Sequence, residues 1–224
     1  MPKFTSKLFG AMLILAVLAV VAILGRVFWT TSKTIFDLLG ENRQLRKAIG
    51  NLTAETQIGY AKVIDQTQRD GKLHTRLLFV ETARDNPQEI VLSKEYVIEG
   101  DVVFFDALIV KFSNDYVSDG RGRALYLWSR IYGEQMAPSH GFAIEEPGKE
   151  PQRYKEISAV LSVKDRDLFW SEIWKLSDDP ERLRAAGIDA VYGNAVYKKV
   201  RPGLLYVFRI TNTGQVYPET LPAL

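Results

Sequence analysis

The sequence predicts an α+β protein with a single N-terminal transmembrane helix and a short coiled-coil helix. A β-rich domain follows, a sandwich or partly open barrel with a helical hairpin inserted. Three observations carry this prediction. Leu8 to Leu24 form a run of seventeen residues without a charge. Residues 32–56 repeat apolar side chains at a spacing of seven, and from Ile58 onward the period falls to two. The expected organisation is a basic tail over 1–7, a signal anchor over 8–29, a heptad stalk over 32–56 and a β-rich domain over 57–224, with helices near 165–187.

The apolar run covers about 26 Å as an α-helix, and Val27, Phe28 and Trp29 extend it to the ~30 Å thickness of bilayer hydrocarbon. A cleaved signal peptide is the alternative, since Lys3 and Lys7 give it a basic flank. The run exceeds the ~7 to 15 apolar residues of such peptides, and Ala22 is followed by Ile23 and Leu24, so an uncleaved anchor is expected. Long domains translocate largely regardless of charge, which places the short tail in the cytoplasm and the bulk outside it, in a periplasm-like compartment.

Ile35, Asn42 and Ile49 occupy heptad position a, and Leu38, Leu45 and Leu52 occupy position d. Ile at a with Leu at d favours a parallel pair, and one Asn at a fixes its register. Glu41 at g and Arg46 at the next e can pair across such an interface. These six residues, Ile35, Leu38, Asn42, Leu45, Ile49 and Leu52, are the expected oligomer interface. Gly40 and Gly50 each cost about 1 kcal/mol of helix propensity, so the coil depends on being held at a membrane. An amphipathic helix packed on its own domain is the competing reading.

Alternating segments then follow at Tyr60 to Asp65, Leu73 to Val80, Glu89 to Ile98, Val102 to Phe112 and Ala124 to Tyr132. Arg69, Asp70 and Gly71 signal a hairpin. Residues 133–153 carry Pro138, Gly141, Pro147, Gly148 and Pro151 and read as a long surface loop. Strands resume near Ile157 to Val163, Ala190 to Lys198 and Leu204 to Ile210. Between them, Phe169, Trp170, Ile173, Trp174 and Leu176 share one helical face. Asp179 with Pro180 and Glu181 predicts a second capped helix ending at Gly187.

Composition bounds the chemistry. The chain has 29 Lys plus Arg against 27 Asp plus Glu, and removing Lys3, Lys7, Arg26 and Lys33, which precede the first acid Asp37, leaves 25 against 27. A sign-mixed domain without a basic stripe argues against nucleic acid as a partner. The absence of cysteine removes thiolate metal sites and a cysteine nucleophile. Only two histidines are present. His74 shares a strand face with Arg76, and His140 adjoins Ser139 too closely in sequence for a nucleophile and its base. The Gly120 to Arg123 segment begins like a dinucleotide loop, but Leu125 stands where the third Gly belongs. Asp115, Asp119 and Gly120 echo a calcium loop in which Val117 and Tyr126 occupy ligand positions. Asn51, Leu52 and Thr53 form a sequon inside the heptad seam. Asp101 and Asp106 fit turn and rim positions. No catalytic, cofactor or metal residue is assigned. The many aromatic residues suit core filling, with a sugar or peptide platform as the other use.

The build of tail, anchor, short heptad helix and outer domain is similar to that of bitopic bacterial envelope proteins of division and secretion assemblies. That similarity implies a membrane-anchored scaffold whose partners are the bilayer and either a second copy or another membrane protein reached through the coil. The alternative is a tethered ligand-binding or hydrolytic domain using the 133–153 loop.

Overall fold

The computed structural model describes residues 40–120, 123–154, 170, 173, 179–185 and 188–223, together with Leu18, Val20, Val21 and Arg26. It divides into two compact units, Met1–Lys47 and Ala48–Leu224. The described residues of the first unit are all helical.

The second unit is mostly β. Nine strands are described: β1 (Glu55–Arg69), β2 (Lys72–Ala83), β3 (Asn86–Glu99), β4 (Val102–Phe112), β5 (Leu125–Gly133), β6 (Phe142–Ala143), β7 (Ile188–Lys199), β8 (Leu204–Thr211) and β9 (Val216–Pro222). They form two antiparallel sheets, one in the order β3-β2-β1-β8-β9 and the other in the order β6-β5-β4-β7. The β1–β2 hairpin closes through Asp70 at φ 51° and Gly71 at φ 76°. A two-residue turn with positive φ at both positions matches the right-handed twist of the flanking strands, and Asp followed by Gly supplies it at least strain.

The sheets face each other across an aromatic core. Phe79 of β2 and Phe208 of β8 meet Phe105 of β4 and Trp128 of β5, with ring centroids 4.7 to 6.1 Å apart and inclined or edge-on contacts dominating. Each fully buried ring contributes on the order of 2 to 3 kcal/mol of transfer free energy, and inclined contacts between rings add about 1 kcal/mol. The β3–β4 corner at Gly100 and Asp101 carries the chain from the first sheet to the second, and Val200 N–H donates to Asp101 O to hold it.

Strand β4 is apolar on both faces. Val103, Phe105, Ala107 and Ile109 belong to the sandwich core. Leu108, Val110 and Phe112 belong to a second buried cluster with Leu125 and Leu127 of β5, Trp170, Ile173 and Leu183. A strand covered on both sides loses the alternation of a half-exposed one, which is why Val102 to Phe112 reads as a nearly continuous apolar run. Two short helices lie within the domain among the described residues, α1 (Asn114–Ser118) and α2 (Pro180–Ala185). At α2, Arg182 N–H donates to Asp179 Oδ1 at 3.1 Å, the cap that the sequence predicts.

The expected fold class is corrected by these observations. The chain is mostly β with two antiparallel sheets, not α+β with an anchor and stalk. Among the described residues no helix is long and apolar enough to cross a membrane. An apolar run shows only that a segment avoids water; a span also requires one unbroken helix of ~20 residues. The single-pass anchor is therefore withdrawn, and the extracytoplasmic placement that rested on it goes with it. Apart from Leu18, Val20, Val21 and Arg26, the segment 8–29 lies outside the described residues. The strand expected at Ile157 to Val163 and most of the first helix of the expected hairpin also lie outside them. Strands β6 and β9 were not expected. β9 carries Pro218 and Pro222, which suppress a strand signal and are tolerated because β9 is an edge.

The β5 terminus supplies a sharp test of the packing. A Cβ on Gly133 would stand 1.9 Å from Glu99 O and 2.6 Å from Ile98 Cγ2, whereas a Cβ on Gly50 would meet nothing within 4 Å. Gly133→Ala should lower the unfolding free energy by about 1 to 3 kcal/mol or more. Gly50→Ala, in a helical stretch, should raise it by up to about 1 kcal/mol. Urea denaturation of the two variants checks both signs.

Candidate functional site

The residues expected to form an oligomer interface are not brought together as a coil. Ile35 and Leu38 lie outside the described residues, and Asn42, Leu45, Ile49 and Leu52 lie in the helical stretch 40–53. Leu45 is 60% and Ile49 51% exposed, while Leu52 packs against the second buried cluster of its own domain. Two hydrogen bonds at 2.8 Å hold that end: Asn51 Nδ2 donates to Ser118 O, and Asn212 Nδ2 donates to Asn51 O. The coiled coil is corrected accordingly. A heptad stripe requires an apolar partner, and at Leu52 the domain itself is that partner. The same contacts account for Asn51, whose side chain is engaged with α1.

A different surface emerges from the sheet edges. Each sheet leaves two strands with a row of backbone N–H and C=O groups facing outward, and natural proteins blunt such rows to prevent stray pairing. Strand β3 is blunted by Pro87, Glu89, Lys94 and Glu95 and by two register shifts opposite Thr82. β9 carries two prolines and Glu219, and β6 is only two residues long. Strand β7 keeps its charges to its two ends, Asp189 at one and Lys198 and Lys199 at the other, and the eight residues Ala190 to Tyr197 between them contain no charge and no proline. Its register with β4 runs without interruption from Val102↔Lys199 to Lys111↔Ala190. Among the described residues no strand pairs with its other side.

The outer face of the second sheet adds side chains to this edge. Tyr132, Phe104 and Tyr197 stand in one row across β5, β4 and β7. Phe104 lies 5.0 Å from Tyr132 with planes 5° apart and 5.6 Å from Tyr197 at 33°. Rings stacked on one another present their rims to solvent, so this row lacks the flat faces that a sugar platform requires. Tyr197, at the β7 end, is 66% exposed. Beneath the row Arg130 Nε approaches Asp106 Oδ2 at 3.7 Å, and the Tyr132 hydroxyl donates to Asp106 Oδ1 at 3.4 Å. Partial burial raises the Asp106 carboxyl above its usual range, against the pull of Arg130. The expected rim position of Asp106 thus takes the form of an ion pair on an open sheet face.

The Pro- and Gly-rich segment is an arm folded back onto the sandwich. β6 within it pairs with β5, and Lys94 donates to Ile144 O at 2.7 Å. Its end inserts Arg153 into a closed cluster. The guanidinium pairs with Glu145, lies 2.8 Å from Glu81 Oε1, donates to Tyr126 O, and covers the Tyr126 and Tyr154 rings at 4.3 and 4.6 Å. The Tyr154 hydroxyl donates to Tyr126 O and accepts from Tyr126 N–H. Glu81 is 1% exposed. Burial pushes its carboxyl up to about 7 against the attraction of Arg153, with the Glu145 charge adding to the rise. No local pattern signals this cluster, because residues 81, 126, 145 and 153 are scattered along the chain. The histidines have ordinary surroundings: His74 lies in β2, and His140 ends an exposed turn over Pro138–His140.

The geometry defines an antiparallel β-sandwich in which, among the described residues, β7 is an edge strand with an uncharged central run. Comparison of the chain with protein-family models, with curated proteins and with solved structures finds no match.

Two expected outcomes follow from these placements. Leu52→Ala should cost about 1 to 2 kcal/mol of unfolding free energy, and Leu45→Ala less than about 0.5, in chemical denaturation. Equal effects would return Leu45 to a packed seam. For Glu81, the folded carboxyl binds its proton more tightly than the unfolded one. Its contribution is therefore complete below about pH 4.5 and is lost as pH rises through about 7. Stability from this group should fall by about 1.4 kcal/mol per pH unit across that window, and Glu81→Gln should abolish the slope. Denaturation midpoints at pH 5 and pH 7.5 measure it.

Proposed function

We propose that this chain is an interaction protein, a scaffold whose contact element is the β7 edge together with the exposed end of the Tyr132, Phe104, Tyr197 row. The observation that carries this reading is the contrast among the four sheet edges. Three are blunted by charge, proline or brevity, and β7 offers eight uncharged residues in regular register. A strand with that edge receives an extended segment by strand addition: backbone hydrogen bonds supply affinity, and side chains on alternate positions supply selectivity. Tyr197 is placed to cover the first apolar side chain of such a segment.

The other reading, a ligand-binding or hydrolytic centre in the 133–153 loop, has less support. Within the loop Glu145 pairs with Arg153, Glu146 pairs with Lys149 and Glu134 accepts from Asp101 N–H, and the Arg153 and Glu81 side chains are almost fully buried. Such an arrangement fastens the arm and leaves a substrate no approach to Glu81.

Site-specific photocrosslinking tests the proposal. A photoreactive phenylalanine analogue is placed at Tyr197, and as a control at Val97 on the blunted β3 edge, and the full chain is irradiated in its own cells. Discrete protein adducts at residue 197 and none at residue 97 are expected. No adduct at 197, or the same adducts at both positions, would rule the β7 edge out as the contact element.

A further inference from the structure

We infer that the segment received by β7 is β7 of a second copy of this chain, added antiparallel about a two-fold axis at Asn194. The inference rests on the reading of β7 as a pairing edge and names its occupant. A two-fold axis through Asn194 sets residue i opposite residue 388 − i, so the strand must be complementary to its own reverse. Strand β7 is. Asp189 at one end falls opposite Lys199 at the other, and by symmetry the charge pair forms twice. Tyr197 falls opposite Val191, and Tyr192 opposite Val196. These are aromatic and β-branched pairs, the kind that stabilises adjoining strands by about 0.2 to 1 kcal/mol each. Gly193 falls opposite Ala195, leaving room for close approach at the centre.

One further observation agrees. Among the described residues the charges at the ends meet partners within the chain, Lys111 with Asp189 at 3.0 Å and Lys199 with Asp101 at 3.2 Å, each pair half-exposed. Pairs open to solvent contribute little, so exchanging them across an interface has a small cost. The joined sheet would run β6-β5-β4-β7-β7-β4-β5-β6. An isologous contact of this kind closes on itself, which removes the open edge instead of extending it into a fibre.

Because the chain has no cysteine, single introduced thiols report the contact directly. Opposed residues in an antiparallel pair have Cα atoms about 4.5 to 5.5 Å apart, within disulfide range. Asn194→Cys in the full chain should form an intermolecular disulfide under mild oxidation, and Ser93→Cys on β3 should not. Analytical ultracentrifugation should give a dimer for the parent chain. Lys199→Asp, which opposes two acids, should shift it toward monomer, and Asp189→Lys combined with Lys199→Asp should restore it. Circular dichroism confirms that each variant keeps its strands. A monomeric parent, or equal disulfide yield from Asn194→Cys and Ser93→Cys, overturns the inference. If the chain is monomeric but residue 197 still crosslinks to a different protein, the second copy is wrong and the β7 edge stands as a contact element. If residue 197 gives no adduct at all, both fall.

Discussion

Strand β4 must be covered on both of its faces, and most of the architecture answers that requirement. Its odd-numbered residues from Val103 to Ile109 face the aromatic core, and Leu108, Val110 and Phe112 face the second cluster. One side is met by the five-stranded sheet. The other is met by Trp170, Ile173, Leu183 and Leu52, drawn from segments far apart in sequence. Leu52 thus serves as part of the cover, and the helical stretch before β1 is recruited to the domain at that point. A strand wet on one side would have left this face open and the stripe ending at Leu52 free to seek another partner.

The cover does not extend over the whole second sheet. Beyond Leu108 the outer face carries Phe104, Asp106, Arg130, Tyr132 and Tyr197, a mixture of rings and an ion pair suited to partial wetting. The transition falls where β5 has a register shift against β4 between Asp106 and Ala107. A bulge turns side chains and increases local twist, and such irregularities commonly lie beside functional surfaces. The β7 edge borders this same region, with Tyr197 exposed at the junction.

The arm over residues 134–154 is fastened by charge as well as by apolar packing. One guanidinium serves two carboxylates, a peptide carbonyl and two aromatic faces in a largely buried site. Burial raises the affinity of Glu81 for a proton against the attraction of Arg153, and the Glu145 charge adds to the rise. Buried ion pairs of this kind add little net stability over apolar substitutes, but they tolerate only one arrangement. Arg153 thereby specifies where the arm ends against β2 and β5.

Much of the β framework was legible in the sequence, because its signals are local. Period-two patterns located β1 to β5, β7 and β8; Asp70 with Gly71 located the first hairpin; and Asp179 with Pro180 located the cap of α2. The prolines hid β9. The anchor and coil were read from the same kind of local pattern and did not survive, since hydropathy and heptad spacing state that a surface avoids water without naming what it meets. At Leu52 the tertiary structure chose the chain's own domain. The edge surface is not legible locally. Ala190 to Tyr197 reads as an ordinary strand until the sheet order makes β7 an edge. Phe104, Tyr132 and Tyr197 become a row only once three strands align. Sequence by itself determined most of the strands, β1 to β5, β7 and β8, because side-chain patterning is a property of each segment. Only the tertiary structure decided which strands stand at sheet edges and which charges were buried together, because both depend on contacts between residues far apart in the chain.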